Sequence, residues 1–144
     1  MRRIHFIAIA ALALVPSLAF ALTPYKTEGC EVLKNSDIRC LLNDSKVPTA
    51  TIDLKNKTGS AVSFTVDEWH SRCGFSGGKV ESNSFDLSGG ATRRIDPQAP
   101  GTDKLGFQIT CREVFITGCK EGAKSVNCKD AIEAKYTLWV GNKQ

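Results

Sequence analysis

Beyond residue 50 apolar and polar side chains alternate with a period of two, the mark of half-buried strands rather than helices. Thr51-Ile52-Asp53-Leu54 and Ala61-Val62-Ser63-Phe64-Thr65-Val66 flank Asn56-Lys57-Thr58-Gly59. This predicts a hairpin that buries Ile52, Leu54, Val62, Phe64 and Val66 on one face. Ser84-Phe85-Asp86-Leu87, Ser88-Gly89-Gly90 and residues 91–95 predict a second hairpin, since glycine adopts the positive φ of tight turns. Phe85 and Leu87 should point inward. Asp96-Pro97 and Pro100-Gly101 interrupt the pattern. It resumes from Leu105 to Cys111, with Leu105, Phe107, Ile109 and Cys111 inward. A final strand over residues 132–140 sets Ile132, Ala134, Tyr136, Leu138 and Val140 on one face and Trp139 on the other.

Helix signals are few. The stretch from Tyr25 to Leu42 reads either as containing a helical turn around Glu31 to Asn35 or as an extended arm stapled through its two cysteines. No repeat or heptad interrupts the strands. The expected fold is all-β, a small antiparallel β-sandwich or barrel stapled by about three disulfides.

The first 21 residues stand apart. Arg2 and Arg3 precede the apolar run Ile7 to Val15, and Ala19-Phe20-Ala21 offers small residues for cleavage. This is the pattern of a secretory signal peptide, over residues 1–21. The expected mature chain, 22–144, would be one disulfide-bonded β domain of 123 residues, enough for one real core. A bacterial-looking leader makes the periplasm or the medium its destination. No second apolar stretch is long enough for a membrane span, and no cysteine directly follows Ala21, as a lipid anchor would require.

Export places the cysteines in an oxidising compartment. Cys30, Cys40, Cys73, Cys111, Cys119 and Cys128 all follow the leader, and an even number reads as three disulfides. Spacing suggests Cys30 with Cys40, Cys119 with Cys128, and Cys73 with Cys111. Without Arg2 and Arg3, 17 basic residues face 15 acidic ones, so the net charge falls from +4 to +2. With Arg93-Arg94 the one remaining basic doublet, nothing forms a phosphate-tracking stripe, and nucleic acid is not an expected partner.

Candidate chemistry is thin. Gly74-Phe75-Ser76-Gly77-Gly78 resembles the nucleophile elbow of hydrolases and the serine segment of chymotrypsin-like proteases. An elbow needs a strand before it, a helix after it and a later histidine, whereas His70 precedes Ser76 and strand-like sequence follows. Asp67, Glu68, His70 and Cys73 suggest a metal site, but a thiolate ligand would strand one other cysteine. Neighbouring Asp67 and Glu68 face opposite sides of a strand and so cannot form a paired-carboxylate site. No phosphate loop or dinucleotide fingerprint occurs, so neither catalysis nor a cofactor or metal is expected.

Recognition is the expected function, as a non-catalytic binding or interaction module for a protein or glycan ligand. The candidate contact residues are Trp69 and His70 at a strand end, Trp139 on an outward face, and Lys120 and Lys124 in the Cys119 to Cys128 loop. A disulfide-closed loop is pre-organised, and two lysines would suit an acidic cleft, so inhibition of a lysozyme or protease is the alternative. A small hydrolase of cell-wall or glycan material is the third possibility.

Overall fold

The computed structural model describes residues 22–42, 49–71, 77–98, 106 and 111–141. The predicted leader, Cys73, the Gly74 to Ser76 string, Leu105, Phe107 and Ile109 lie outside them. The described chain is almost entirely antiparallel β, in two packed sheets. The smaller sheet has the order β1 (Leu22–Gly29), β10 (Ile132–Gly141), β4 (Thr49–Asn56) and β7 (Thr92–Ile95). The larger runs β2 (Glu31–Val32), β3 (Ile38–Leu42), β8 (Cys111–Glu121), β5 (Val62–Ser71) and β6 (Gly78–Leu87), with β9 (Lys124–Ser125) folded back on β8. One short helix, α1 (Cys128–Ala131), precedes β10.

The inward faces follow the alternation. Ile52 and Leu54 of β4 and Ile132, Tyr136 and Leu138 of β10 meet Val62 and Phe64 of β5, Val114 and Ile116 of β8, and Ile38 and Leu42 of β3. Full burial of each such side chain contributes about 1.5–3 kcal/mol.

Both expected hairpins are absent, although their inward residues are correct. β4 pairs with β10 and β7, whereas β5 pairs with β6 and β8, so residues 57–61 carry the chain from one sheet to the other. Likewise β6 lies in the larger sheet and β7 in the smaller, and residues 88–91 are a second crossing. The physical reason is the side chain of Asn56, fully buried between the two crossings. Its Nδ2 donates to the carbonyls of Ser60 (2.7 Å), Leu87 (2.8 Å) and Ser88 (3.1 Å). Its Oδ1 accepts from the Thr58 amide and hydroxyl, both at 2.8 Å. The crossings touch: a Cβ on Gly89 would lie 2.5 Å from the carbonyl carbon and oxygen of Gly59. Only glycine fits there.

Three further differences concern elements. β8 begins at Cys111, where the sequence reading ends a strand, and becomes the partner of both β3 and β5. The arm from Tyr25 to Leu42 is extended, with a turn at residues 33–37 closed by Leu33 N–H donating to Asp37 O at 2.8 Å. α1 was not foreseen; it is one turn long and lies beside a disulfide.

Cys30–Cys40 and Cys119–Cys128 are bonded, with Cα separations of 4.6 and 5.2 Å. Two disulfides rather than three thus lie wholly within the described residues, since the expected Cys73–Cys111 pair falls on Cys73. Among the described residues no cysteine is free, and no helix is long and apolar enough to cross a membrane.

Candidate recognition face

β5 alternates through its whole length, so it presents Thr65, Asp67, Trp69 and Ser71 outward and Val66, Glu68 and His70 inward. A bulge in the β5–β6 pairing between Glu68 and Trp69 leaves Val80 as the extra residue, and the register resumes with Trp69 opposite Lys79. On the other side of β5, Trp69 stands opposite Glu113 and Asp67 opposite Phe115. β3 extends the same rows with Leu41 beside Glu113 and Arg39 beside Phe115. The outer face of the larger sheet therefore gathers two aromatic rings, two carboxylates and two cations from four strands.

Ion pairs orient these groups. Lys79 Nζ lies 2.9 Å from Asp67 Oδ2 and 5.8 Å from the centre of the Trp69 ring. Arg39 Nε donates to Glu113 Oε2 at 2.8 Å, and its Nη1 reaches Glu31 at 3.3 Å. Burial alone would raise the Asp67 carboxyl, but the Ser82 hydroxyl and Lys79 together hold it below the usual carboxylate range. The hydrogen bond to Glu113 raises the Arg39 guanidinium above its ordinary value. Asp67 and Arg39 are thus held charged at neutral pH.

Between these side chains lies a groove of about 400 Å³, lined by Asp67, Trp69, Ser71, Glu113, Phe115 and Thr117 among others. Its volume is within the usual range of small-molecule sites. Trp69 is 37% exposed. Among the described residues its indole N–H has no hydrogen-bond partner.

The other expected contact residues are dispersed. His70 is not on the rim but buried, its Nε2 2.8 Å from Glu68 Oε1, which also accepts the Gln98 amide at 2.8 Å. Arg112 lies in the same layer, paired across the strands with His70, and donates to the Gln98 carbonyl at 3.1 Å. Burial lowers the Arg112 guanidinium from its ordinary value, opposed by attraction to Glu68. This polar layer fastens residues 96–98 over one end of the sandwich. Among the described residues no hydroxyl or thiol is hydrogen-bonded to His70, and no group of three or more metal-ligating side chains occurs.

Trp139 lies on the opposite outer face, half-buried. Its Nε1 donates to Thr51 Oγ1 at 2.9 Å, and Arg94 lies 5.9 Å from its ring while also binding both oxygens of Asp53. Its polar edge is occupied. Lys120 and Lys124 are exposed on the hairpin closed by Cys119–Cys128. Lys120 is seven residues along β8 from Glu113, roughly 23 Å at about 3.3 Å per residue. Thr117 of the groove wall is three residues from Lys120, about 10 Å, so the hairpin adjoins the groove, but neither lysine lines it.

Phe115, Glu113 and Arg39 escaped the sequence reading. In the run Glu113-Val114-Phe115-Ile116-Thr117 three consecutive apolar residues conceal which one faces outward. Comparison with protein-family models, with curated proteins and with solved structures finds no match to this chain.

Proposed function

We propose that the chain is an exported, non-catalytic recognition module, working in the periplasm or outside the cell, whose ligand docks on the outer face of the larger sheet. One observation carries this reading: Trp69 lies open in a groove with its indole N–H unpartnered among the described residues, between two carboxylates fixed by cations. A rigid ring with an unused donor is the kind of anchor from which binding sites draw most of their energy. The two disulfides suit an oxidising compartment and hold the arm and the hairpin in place around the sheets.

Inhibition of a hydrolase is the second reading. It is favoured by the covalently closed hairpin with exposed Lys120 and Lys124, neither of which lines the groove.

Alanine variants of Trp69, Trp139, Lys120 and Lys124 separate these readings. They are to be assayed for binding to envelope glycans and for inhibition of lysozymes and proteases. On the first reading Trp69→Ala weakens binding about tenfold or more, while the other three stay within about threefold with unchanged circular dichroism. Inhibition lost on Lys120→Ala or Lys124→Ala, with Trp69→Ala silent, supports the second. Turnover of any of these substrates by the wild-type protein overturns both.

A further inference from the structure

We infer that the groove beside Trp69 is a saccharide site, in which the C–H face of a neutral sugar ring stacks on the indole while Asp67 and Glu113 accept hydrogen bonds from its hydroxyls. The inference rests on reading this face as the binding face and goes on to name the chemical class of the ligand.

Charge is the first argument. Asp67 is matched by Lys79 at 2.9 Å and Glu113 by Arg39 at 2.8 Å, an arginine shared with Glu31 at 3.3 Å, so the carboxylates of the groove are already paired and the face carries strong local dipoles. A charged peptide or nucleotide would have to displace an existing ion pair to gain a new one. A hydroxyl has no such requirement. It donates to a carboxylate oxygen and accepts from an ammonium or guanidinium N–H, so a ligand dense in hydroxyls engages both members of each pair.

The disposition of donors and acceptors is the second argument. Arg39 engages Oε2 of Glu113, and among the described residues Oε1 has no partner, which leaves it able to accept from a hydroxyl. Ser71 and Thr117 add hydroxyls to the groove wall, and the Trp69 indole adds an N–H. Among the described residues that line the groove, the large apolar groups are two flat rings, Trp69 and Phe115. A sugar ring is likewise apolar on its face and polar around its rim.

Size is the third. A groove of about 400 Å³ suits a small ligand, whereas a stable protein interface requires roughly 800 Å² on each partner. The groove also depends on close backbone approach at its end: a Cβ on Gly77 would lie 2.5 Å from the His70 carbonyl oxygen.

The test uses the Trp139→Phe protein, which retains Trp69 as its sole tryptophan. It is titrated with neutral oligosaccharides, namely β-1,4-linked glucose, β-1,4-linked N-acetylglucosamine and α-1,4-linked glucose oligomers, and with acidic and basic peptides. The expected result is a blue shift and saturable change in Trp69 emission with at least one saccharide series. Its affinity should change less than about twofold between 50 and 500 mM salt, since no ion pair forms. By calorimetry on the wild-type background, Glu113→Gln or Asp67→Asn should weaken that binding about fivefold or more. Salt-sensitive peptide binding that quenches Trp69, with no saccharide response, overturns the saccharide assignment and leaves the face as the binding surface. No response of Trp69 to either class overturns the assignment, and ligand binding found only through the Lys120 hairpin overturns the face as well.

Discussion

At the scale of single residues, Asn56 does the most for the architecture. Its one amide satisfies three carbonyls and two donors in a fully buried corner. Truncation to alanine leaves several of these groups without partners, each at a desolvation cost of about 1–3 kcal/mol. Asn56→Ala is therefore expected to lower the unfolding free energy by about 3 kcal/mol in urea titrations, whereas Lys57→Ala on the same turn should change it far less. The burial also bears on modification: Asn56-Lys57-Thr58 matches the glycosylation acceptor pattern, yet in the folded state its amide nitrogen is inaccessible.

Tyr136 gives a pH dependence. Burial first, and then the hydrogen bond its hydroxyl donates to Glu28 Oε2 at 2.6 Å, push the phenol from 10.0 up to about 12. The folded protein thus holds this proton more tightly than the unfolded chain does. The corresponding stabilisation is complete below pH 10 and is lost as pH rises through about 12. Unfolding free energies of the wild type should fall across that window, and the fall should be smaller in Tyr136→Phe. An equal fall in both proteins would place the alkaline sensitivity on another group.

At the scale of elements, the two crossings and the disulfide hairpin can be perturbed separately. Gly89 is packed against Gly59, and a methyl group there meets backbone rather than a yielding side chain. Gly89→Ala should lower the melting temperature by several degrees, while Gly59→Ala, whose Cβ would have nothing within 4 Å, serves as the control for altered turn entropy. The Cys119–Cys128 bridge closes a loop with a sequence separation of 9, for which chain entropy implies about 2.5 kcal/mol. The double replacement Cys119→Ser with Cys128→Ser should cost about that much. It should leave ligand binding at Trp69 within about threefold, because no residue from Cys119 to Cys128 lines the groove.

At the scale of the whole molecule, the two outer faces of the sandwich differ. Each outer face sets a cation near its tryptophan, Arg94 at 5.9 Å from Trp139 and Lys79 at 5.8 Å from Trp69, but among the described residues only the Trp139 indole N–H has a partner, Thr51. The interior carries a buried polar layer of Glu68, His70 and Arg112 at one end, and the buried amide of Asn56 at the crossings. On the export reading, protein recovered from the periplasm or medium should have an intact mass that starts at Leu22 and lacks six hydrogens. Two or more free thiols in that material would remove the three-disulfide expectation.

Strict alternation determined, without any structure, that the chain is all-β and which side chains of β4, β5 and β10 form the core. A one-residue slip would reverse every face, so the inward set is encoded locally. The cysteine spacings encoded the two short-range bridges in the same way. The partner of each strand was not legible. Inward positions of both sheets are equally apolar, and a polar, glycine-containing turn suits a hairpin or a crossing alike. Only the packed corner of Asn56, Gly59 and Gly89 decided that the chain changes sheets twice. The site divides similarly. Trp69 was visible as an aromatic at a strand end, but His70 kept the strand's alternation into the interior. Asp67 shares the strand of Trp69, but Glu113, Phe115 and Arg39 became its neighbours through the pairings of β5 with β8 and of β8 with β3, each across more than 40 residues of sequence. Long-range register lies beyond any local pattern, because it is fixed by which sheet edges remain open once the core has closed.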